Sequence, residues 1–321
     1  MTAPGPDRGA LAADAAYAGG AALSVRQIFW RRFLRHRLAL GSLIFLILLA
    51  LATAAAPLVE ALLGVDGNLV DLFSAKLPPS PEHPLGTDEL GRDLLVRLLY
   101  GGQVSLVVGL AAALCAAVIG TLLGLTAGYY GGRLDSLLMR FTDGVIALPI
   151  LPLLIILAAI DLNKIGLPQA LVTSESVSLY RIVFLIALVG WTTVARLVRG
   201  ATLSMKAREF VRAAEALGAS GPRIMLVHIL PNVVSPIIVA TTLSIGGIIL
   251  LESVLSFLGL GIQPPLPSWG NMLTSAQELI WGAPALAIYP GLLIFVTVIA
   301  FNFLGDGLQD ALDPRALQGG E

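Results

Sequence analysis

Few residues of this 321-residue chain are arranged as a catalytic site would require. Gly218 to Gly221 matches the Gly-x-Ser-Gly pattern of a nucleophilic serine, and His228 follows ten residues after Gly218. In a membrane enzyme of this kind the serine lies on one membrane helix and its histidine on another. Ser220 lies instead in a charged connector, so we interpret the match as a coincidence.

Metal and nucleotide chemistry have equally little support. The histidines are His36, His83 and His228, which are too scattered to form a His-Glu-x-x-His zinc site. A single cysteine, Cys115, excludes an intrachain disulfide. None of the three lysines follows a glycine, so the Gly-Lys-Ser/Thr core of a phosphate-binding loop is missing. We therefore expect no bound metal or cofactor and no ATP hydrolysis by this chain.

Glu252 is the clearest candidate for a functional acid. It lies 29 residues after Arg223 in an apolar stretch, and a carboxylate in such surroundings is costly. It could line a translocation pathway and meet a substrate ammonium, or pair with a neighbouring helix. We favour pairing within the bundle. Asp143 and Asp306 are interpreted in the same way, Asp143 as an interfacial ion pair or a helix start.

The composition shows what must position these residues. The chain is 56% hydrophobic and 13% charged, with a mean hydropathy of +0.86. Soluble proteins carry about 25% charged residues, so this chain cannot coat a water-soluble surface. A net charge of -1 argues against nucleic acid as a partner. The sequence therefore predicts an all-α, polytopic membrane protein.

Six charge-free stretches are candidate membrane spans. A bilayer core needs about 20 apolar residues in a helix, and the third and fourth stretches are shorter than this. Arg181 and Arg196, which bound the fourth stretch, could extend outward from the helix ends. The six stretches are 38–59, 98–132, 144–160, 182–195, 224–251 and 279–305.

Basic residues indicate the orientation. With both termini inside, 15 of the 20 basic residues fall in inside segments and 5 in outside segments. A signal peptide cleaved near Ala52 to Ala54 is the alternative for the first span. The polar lead before it is too long for that, and the apolar run continues beyond the supposed cut. We therefore predict six helices with the N and C termini in the cytoplasm.

This topology divides the chain into five segments. The first 24 residues have no periodic apolar face, and we expect them to be disordered. The segments are a cytoplasmic tail at 1–37, a first transmembrane helix at 38–63, an extracytoplasmic segment at 64–103, a transmembrane core at 104–305 and a cytoplasmic tail at 306–321.

The second span carries Gly120, Gly124 and Gly128 at every fourth position. This spacing places three glycines on one helix face, where a neighbouring backbone can approach closely. We interpret it as a helix-packing seam, with a chance run in an Ala/Gly-rich chain as the alternative.

The connector between the fourth and fifth spans predicts an amphipathic helix at about residues 205–218. Ser204 is its expected N-cap, and Gly218 stands where a left-handed C-terminal residue belongs. Phe210, Ala214 and Leu217 recur at i, i+4 and i+7 and form a narrow apolar ridge. Such a ridge can insert into a groove on a cytoplasmic partner. A helix resting on lipid headgroups is the alternative.

The connector also carries a recognisable motif. Ala213-Ala214, Gly218 and Leu230-Pro231 resemble the loop of ABC-importer permeases that docks the ATPase subunit, with Arg212 in place of its Glu and His228 in place of its Ile. Further motifs in order resemble the dipeptide, oligopeptide and nickel branch of that family. They are Pro84 to Asp88 with Gly91 to Asp93, Ser256 to Gly261 with Pro264-Pro265 and Pro267 to Asn271, and Leu304 to Leu308 with Asp310 to Arg315.

This resemblance implies a type I ABC importer (MetI-like) fold in the bacterial cytoplasmic membrane. It implies three kinds of protein partner: a second homologous permease subunit, two ATPase subunits that carry ATP and Mg²⁺, and an extracytoplasmic substrate-binding protein. Membrane lipid surrounds the assembly. The residues implied to couple this chain to an ATPase are Phe210, Arg212, Ala213, Ala214, Leu217, Gly218, His228, Leu230 and Pro231.

Di- or oligopeptides are the substrates that the resemblance favours, and nickel chelates, glutathione and glycosides are the alternatives within the same branch. Residues 260–281, with no basic residue and two tryptophans, are expected to form an outer re-entrant or interfacial segment facing the binding protein. An ion-driven secondary transporter is a different class, for which internal repeats are expected. No convincing repeat is visible. A scaffold or channel subunit would not need a docking helix of this form.

Overall fold

The computed structural model describes residues 24–165, 168–169, 174, 176–274 and 276–312. The regular elements of these residues are helices, which confirms the predicted all-α class. The predicted disordered tail and Asp313 to Arg315 of the last motif lie outside the described residues, apart from Ser24. The principal helices are α1 (Val25–Phe33), α2 (Arg37–Ala54), α3 (Ala56–Leu63), α4 (Leu94–Tyr130), α5 (Gly132–Ala147), α6 (Ile150–Ala158), α7 (Val177–Lys206), α8 (Glu209–Ala216), α9 (Gly221–Phe257) and α10 (Ala285–Leu312).

Five of the described helices are long and apolar enough to cross a membrane. They are α2, α4, α7, α9 and α10. Helices α5 and α6 pass the same test only as a pair, which would make a sixth span. The sixfold count therefore depends on a broken helix.

The third predicted span, 144–160, falls on this broken helix pair, α5 and α6. The helix begins earlier, at Gly132, and bends by 84° before Ile150. Pro149 disfavours helical backbone at the preceding residue, and Leu148 is accordingly extended with ψ 137°. Pro149 is the N-cap of the next helix, which begins at Ile150.

Helix α7 is much longer than the 14-residue charge-free stretch within it. Its bounds include Arg181 and Arg196, whose charges end the stretch in the sequence, and also Arg199. In the structure Arg199 donates two hydrogen bonds to Asp135, and Arg196 pairs with Asp143, which is thus an ion-pair partner. Counting charge-free residues underestimated the helix, because paired charges are tolerated near its end.

The glycine seam lies against α7. A Cβ added to Gly120 would lie 2.6 Å from the Trp191 carbonyl oxygen, and one added to Gly124 would lie 2.6 Å from that of Ala195. At Gly128 it would lie 2.7 Å from the Cβ of Thr202. The backbones of α4 and α7 therefore approach each other too closely for any larger side chain.

The two ends of the bundle differ. The connector end holds residues 207–220 between α7 and α9, and the loop end holds residues 64–93 and 258–284. At the loop end Trp281 is 94% exposed, whereas Trp269 is completely buried and donates from Nε1 to the Leu98 oxygen at 2.9 Å. The first half of the segment 260–281 therefore packs into the bundle, where Gly102 of α4 leaves room for the Trp269 indole and Gly101 for the adjoining main chain.

Candidate functional site

The connector forms a short helix, α8, between two spans. The predicted N-cap, Ser204, is wrong because α7 continues through Lys206. Arg208 is the N-cap, with extended backbone at φ -75° and ψ 147°. The ammonium of Lys206 donates to the Tyr129 carbonyl oxygen at 2.6 Å, which holds the last turn of α7 against α4. The chain thus leaves α7 two residues beyond Ser204, the predicted N-cap.

The C-terminal end of α8 follows the sequence prediction more closely. Gly218 has φ +80°, in the left-handed region that glycine adopts without steric cost. Its N–H donates to the Glu215 oxygen, and the N–H of Ala219 donates to the Ala214 oxygen. These two bonds form a Schellman motif, which satisfies the last carbonyls of the helix and turns the chain toward α9.

The two faces of α8 have different surroundings. Val211 is 1% exposed and belongs to an apolar cluster with Ile224 and Met225 of α9. Phe210 and Leu217, 45% and 88% exposed, lie on a surface that the described residues leave uncovered. One side of α8 is therefore anchored to the bundle, while the other presents a large aromatic ring and a leucine to the outside.

The remaining motif residues lie around this surface. Arg212 and Ala213 are exposed, and Ala214 is half-buried. His228 and Leu230 are half-buried where α9 passes from a π-helical turn at Ile224–Ile229 into regular helix, and Pro231 is exposed. We refer to α8 with Leu217 and Gly218 as the connector helix surface. A hollow of about 630 Å³ borders it, lined by Arg208, Phe210 and Asn232 among others.

Glu252 lies far from this surface, near the loop end of α9. Its side chain is completely buried. Ser256 donates to its Oε1 atom at 2.7 Å, and Ser105 of α4 donates to Oε2 at 3.2 Å. Ser105 also accepts from the N–H of Trp269. The carboxylate thus joins α4, α9 and the Trp269 loop, and in this structure it is shielded from any solvent-filled pathway.

The motif at residues 84–93 is a polar network at the loop end. Asp93 caps α4 by accepting from the Val96 N–H, and it lies 3.0 Å from the His83 ring. Asp88 binds both Arg92 and Arg97, at 2.7 and 3.3 Å. The network fixes the start of α4, so these residues have a structural role in the chain.

A second turn lies close to this network. Asp71 caps a short 3₁₀ helix, Leu72–Ser74. The Ser74 hydroxyl, which donates to the Asp71 carboxylate at 2.6 Å, and the Phe73 N–H lower the pKa of that carboxyl. The charged form of Asp71 therefore helps to hold residues 71–74 in this turn.

Three residues that matter to the connector were missed by the sequence analysis. Val211 anchors α8, Lys206 ties α7 to α4, and Tyr129 receives that bond. The apolar spacing of Phe210, Ala214 and Leu217 indicated the exposed ridge. Val211 is not part of that spacing, so the pattern gave no sign that it is the buried residue of α8. The Lys206 contact joins residues 77 positions apart, which local periodicity cannot reveal.

Five long apolar helices, a bent helix pair and an anchored amphipathic helix at one end define a polytopic helical membrane protein. The family model described as "Binding-protein-dependent transport system inner membrane component" matches residues 120–318. The model for the N-terminal transmembrane domain of oligopeptide transport permease C matches residues 24–72. Both matches agree with the predicted resemblance.

Relatives of known name cover most of the chain. The glutathione transport system permease protein GsiD of Pectobacterium atrosepticum is 42% identical over 288 residues, which are 89% of this chain and 90% of that protein. The oligopeptide transport system permease protein OppC of Haemophilus influenzae is 40% identical, over 89% of this chain and 87% of its own length. OppC of Bacillus subtilis is 38% identical over 95% of both chains.

The chain belongs to the family of inner membrane permease components of binding-protein-dependent transport systems. Members of this family are transport components, so the chain is a multi-pass membrane transport subunit and not a catalytic one. The predicted MetI-like permease fold and the predicted family are confirmed. Among the residues that the structure describes, no three His, Cys, Asp or Glu side chains are grouped to hold a metal ion.

Proposed function

We propose that the connector helix surface docks a partner ATPase and that this chain couples ATP hydrolysis to the import of peptides. The observation that carries the proposal is the contrast between Val211, buried in the bundle, and Leu217, the C-cap residue of the same short helix, which is 88% exposed. A helix anchored on one side transmits a push on its free side to the spans on which it rests. An exposed apolar ridge also favours a protein groove as its binding partner.

The docking surface that we propose extends beyond the ridge. Phe210 and Leu217 would fill the partner groove, and Ala213 would allow close approach. Arg212 would lie at the rim, where a charged side chain remains partly solvated. The angle between α8 and the start of α9 would be set by Gly218, His228, Leu230 and Pro231.

The proposed assembly contains this chain, a second homologous permease, two ATPase subunits and an extracytoplasmic binding protein. ATP and Mg²⁺ would bind to the ATPase subunits, because this sequence has no Gly-Lys-Ser/Thr loop. The connector end would face the cytoplasm of a bacterial inner membrane, with both termini on that side. The 15 to 5 distribution of basic residues supports this orientation.

Peptides are the substrate class that we propose. Relatives of 38 to 42% identity are named for oligopeptide or glutathione transport. Glutathione is itself a tripeptide, so both names point to small solutes with amide bonds, free carboxylates and an ammonium group. We propose that this chemistry, shared by both names, is what the assembly transports.

The experiment compares complexes purified through a tag on this chain from a strain that expresses the partner subunits. In Leu217→Ala the ridge loses its most exposed side chain. We expect the co-purified ATPase to dissociate roughly five- to thirtyfold more readily, because truncating an apolar anchor at an interface costs about 1–2 kcal/mol. Peptide-stimulated ATP hydrolysis and uptake should fall together.

Leu34→Ala is the matched control, since Leu34 is also an exposed leucine but lies just after α1, before the first span and outside the connector. It should leave ATPase recovery unchanged. Recovery of no ATPase with the wild-type chain, combined with uptake driven by a proton or sodium gradient, would overturn the proposal in favour of a secondary transporter. Equal losses in both variants would show that the connector has no special role.

A further inference from the structure

A cavity of about 590 Å³ lies at the loop end, away from the connector and from Glu252. It is bounded by the end of α6, the start of α7 and the segment after α9. Small-molecule sites typically measure about 300–1,000 Å³. The cavity can therefore hold a solute of dipeptide or tripeptide size, and on the proposed orientation it lies at the extracytoplasmic end of the bundle.

Arg181 lines this cavity and has no ionic partner within the described part of the chain. No Asp or Glu described there lies within 4.0 Å of its guanidinium. Its one hydrogen bond to a described residue is a long one, from Nη2 to the Leu260 carbonyl oxygen at 3.5 Å. A guanidinium has five N–H donors in a fork that fits a carboxylate. A half-buried Arg181 is therefore left with most of its donors to offer.

Two further features of α7 favour an anion at the same place. Ser178, one turn before Arg181, also lines the cavity, and its buried hydroxyl has no hydrogen-bond partner among the described residues. The N-cap residue Ser176 makes no side-chain capping bond. The first main-chain N–H groups of a helix carry partial positive charge and attract anions. These features all point to one negatively charged group.

The opposite charge is present elsewhere on the cavity wall. Asp161 follows α6, and its Oδ1 atom accepts from the N–H of Asn163 in its own turn. A cavity with a guanidinium and a carboxylate on its wall fits a zwitterion better than a singly charged solute. A peptide with free ends has this charge pattern.

We propose that this cavity is a peptide-binding site in which Arg181 and Ser178 hold the free C-terminal carboxylate, while the peptide ammonium lies toward Asp161. The inference rests on the proposed function for its substrate class, and it adds the residues that bind the two charged ends of the substrate. A carboxylate side chain of a docked binding protein offers the same chemistry. The cavity volume favours a small peptide as the source, and the experiment separates the two.

The first measurement is photo-crosslinking on the purified complex without binding protein. A tripeptide with a benzophenone side chain on its last residue is used with either a free or an amidated C-terminus. On wild type we expect the free acid to label residues 158–163 and 259–265, and the amide to label them about tenfold less, since a charged partner strengthens a hydrogen bond by this order. Arg181→Gln should remove the difference by lowering labelling by the acid.

Lys164→Gln is the matched control, because it removes a basic residue from the same end of the bundle without altering the cavity wall. Ser178→Ala and Arg181→Lys provide milder variants, and we expect a partial loss of labelling in each. Equal labelling by acid and amide on wild type, unchanged labelling in Arg181→Gln, or labelling mapped elsewhere would each overturn the inference.

The second measurement is uptake by proteoliposomes with saturating binding protein. If Arg181 binds the peptide carboxylate, Arg181→Gln lowers uptake of the free-acid peptide more than uptake of the amidated peptide. An equal loss for both peptides would assign Arg181 to docking of the binding protein and would overturn the inference. A wild-type complex without ATP-dependent uptake would contradict the proposed function, whereas crosslinking would still decide the binding site.

Discussion

The ammonium of Lys206 lies 5.2 Å from the centre of the Tyr129 ring and donates to the main-chain oxygen of the same residue at 2.6 Å. The Tyr129 ring also faces Gly221, where an added Cβ would lie 2.9 Å from the Cε1 atom. Three spans thus meet at this tyrosine: α4 ends there, α7 is tied to it, and α9 starts against it. The connector between α7 and α9 is held at both ends by one residue.

The first prediction follows from this arrangement. Lys206→Met keeps the length of the side chain but removes the charge and the hydrogen bond. We expect the connector to open locally more often, by about 1 kcal/mol, because this is the usual net worth of one such bond. Hydrogen exchange of residues 207–220 should become about fivefold faster, and less peptide should be taken up per ATP hydrolysed.

Lys164→Met serves as the control, since Lys164 is exposed at the loop end. It should leave exchange in the connector unchanged. Faster exchange in Lys206→Met throughout the bundle would mean that the bond stabilises the whole chain, and would contradict a local role.

The second prediction concerns the glycine seam between α4 and α7. Gly124→Ala places a methyl group against the backbone of Ala195, and overpacking of this kind costs about 1–3 kcal/mol. Gly200→Ala is the matched control, because no atom lies within 4 Å of its added Cβ and alanine favours helix by about 1 kcal/mol. Thermal unfolding in detergent should show a lower Tm for the first variant and an equal or higher Tm for the second. An unchanged Tm for Gly124→Ala would contradict close packing there.

Much of the fold was predictable because spans need long apolar stretches and their charge-free gaps are visible in the sequence. The fourth charge-free stretch underestimated the length of α7. Its charged residues Arg196 and Arg199 form ion pairs with acids of α5, and these residues come together only in the folded chain. The bend at Pro149 had a local signal that the gap count ignored. Signals within a short stretch of sequence thus indicated which helices exist. Ion pairs between distant residues, which the sequence does not show, allowed α7 to extend further than predicted.

The candidate site was predictable in part. The Gly218 terminus of α8 follows from glycine alone, because few other residues adopt φ +80°. The anchoring of Val211 depends on Ile224 and Met225, which reach it only through the turn after Gly218. The cavity of Arg181 depends on three segments that meet at the loop end, and no spacing within one segment indicates such a meeting.

The third prediction tests the left-handed residue of the connector. Gly218→Ala forces a Cβ into this backbone region at a cost of about 1–2 kcal/mol. Gly218→Asn is the control, since asparagine tolerates the left-handed conformation better. ATPase recovery with the purified complex should fall in the order glycine, asparagine, alanine. Because nothing lies within 4 Å of the added Cβ, a steric clash does not explain a loss. Equal recovery in all three would indicate that the end of α8 does not limit docking.

The fourth prediction separates the two roles considered for Glu252. Glu252→Ala leaves the hydroxyls of Ser105 and Ser256 without their acceptor, and each buried unpaired group costs about 1–3 kcal/mol. Glu252→Gln keeps the shape and one oxygen acceptor, so it should cost less. We expect Tm to fall in the order glutamate, glutamine, alanine, while the Glu252→Gln complex that remains folded transports peptide at a rate close to wild type.

Ser136→Ala is a control for the loss of a polar group, because Ser136 is an exposed serine whose hydroxyl donates only within its own helix. It should change neither Tm nor uptake. If the Glu252→Gln complex instead keeps the wild-type Tm but no longer transports peptide, Glu252 belongs to the translocation pathway. Such a result would mean that the carboxylate becomes accessible during the transport cycle, since it is completely buried in the state described here. The pair of measurements therefore distinguishes a buried structural junction of α4 and α9 from a substrate contact.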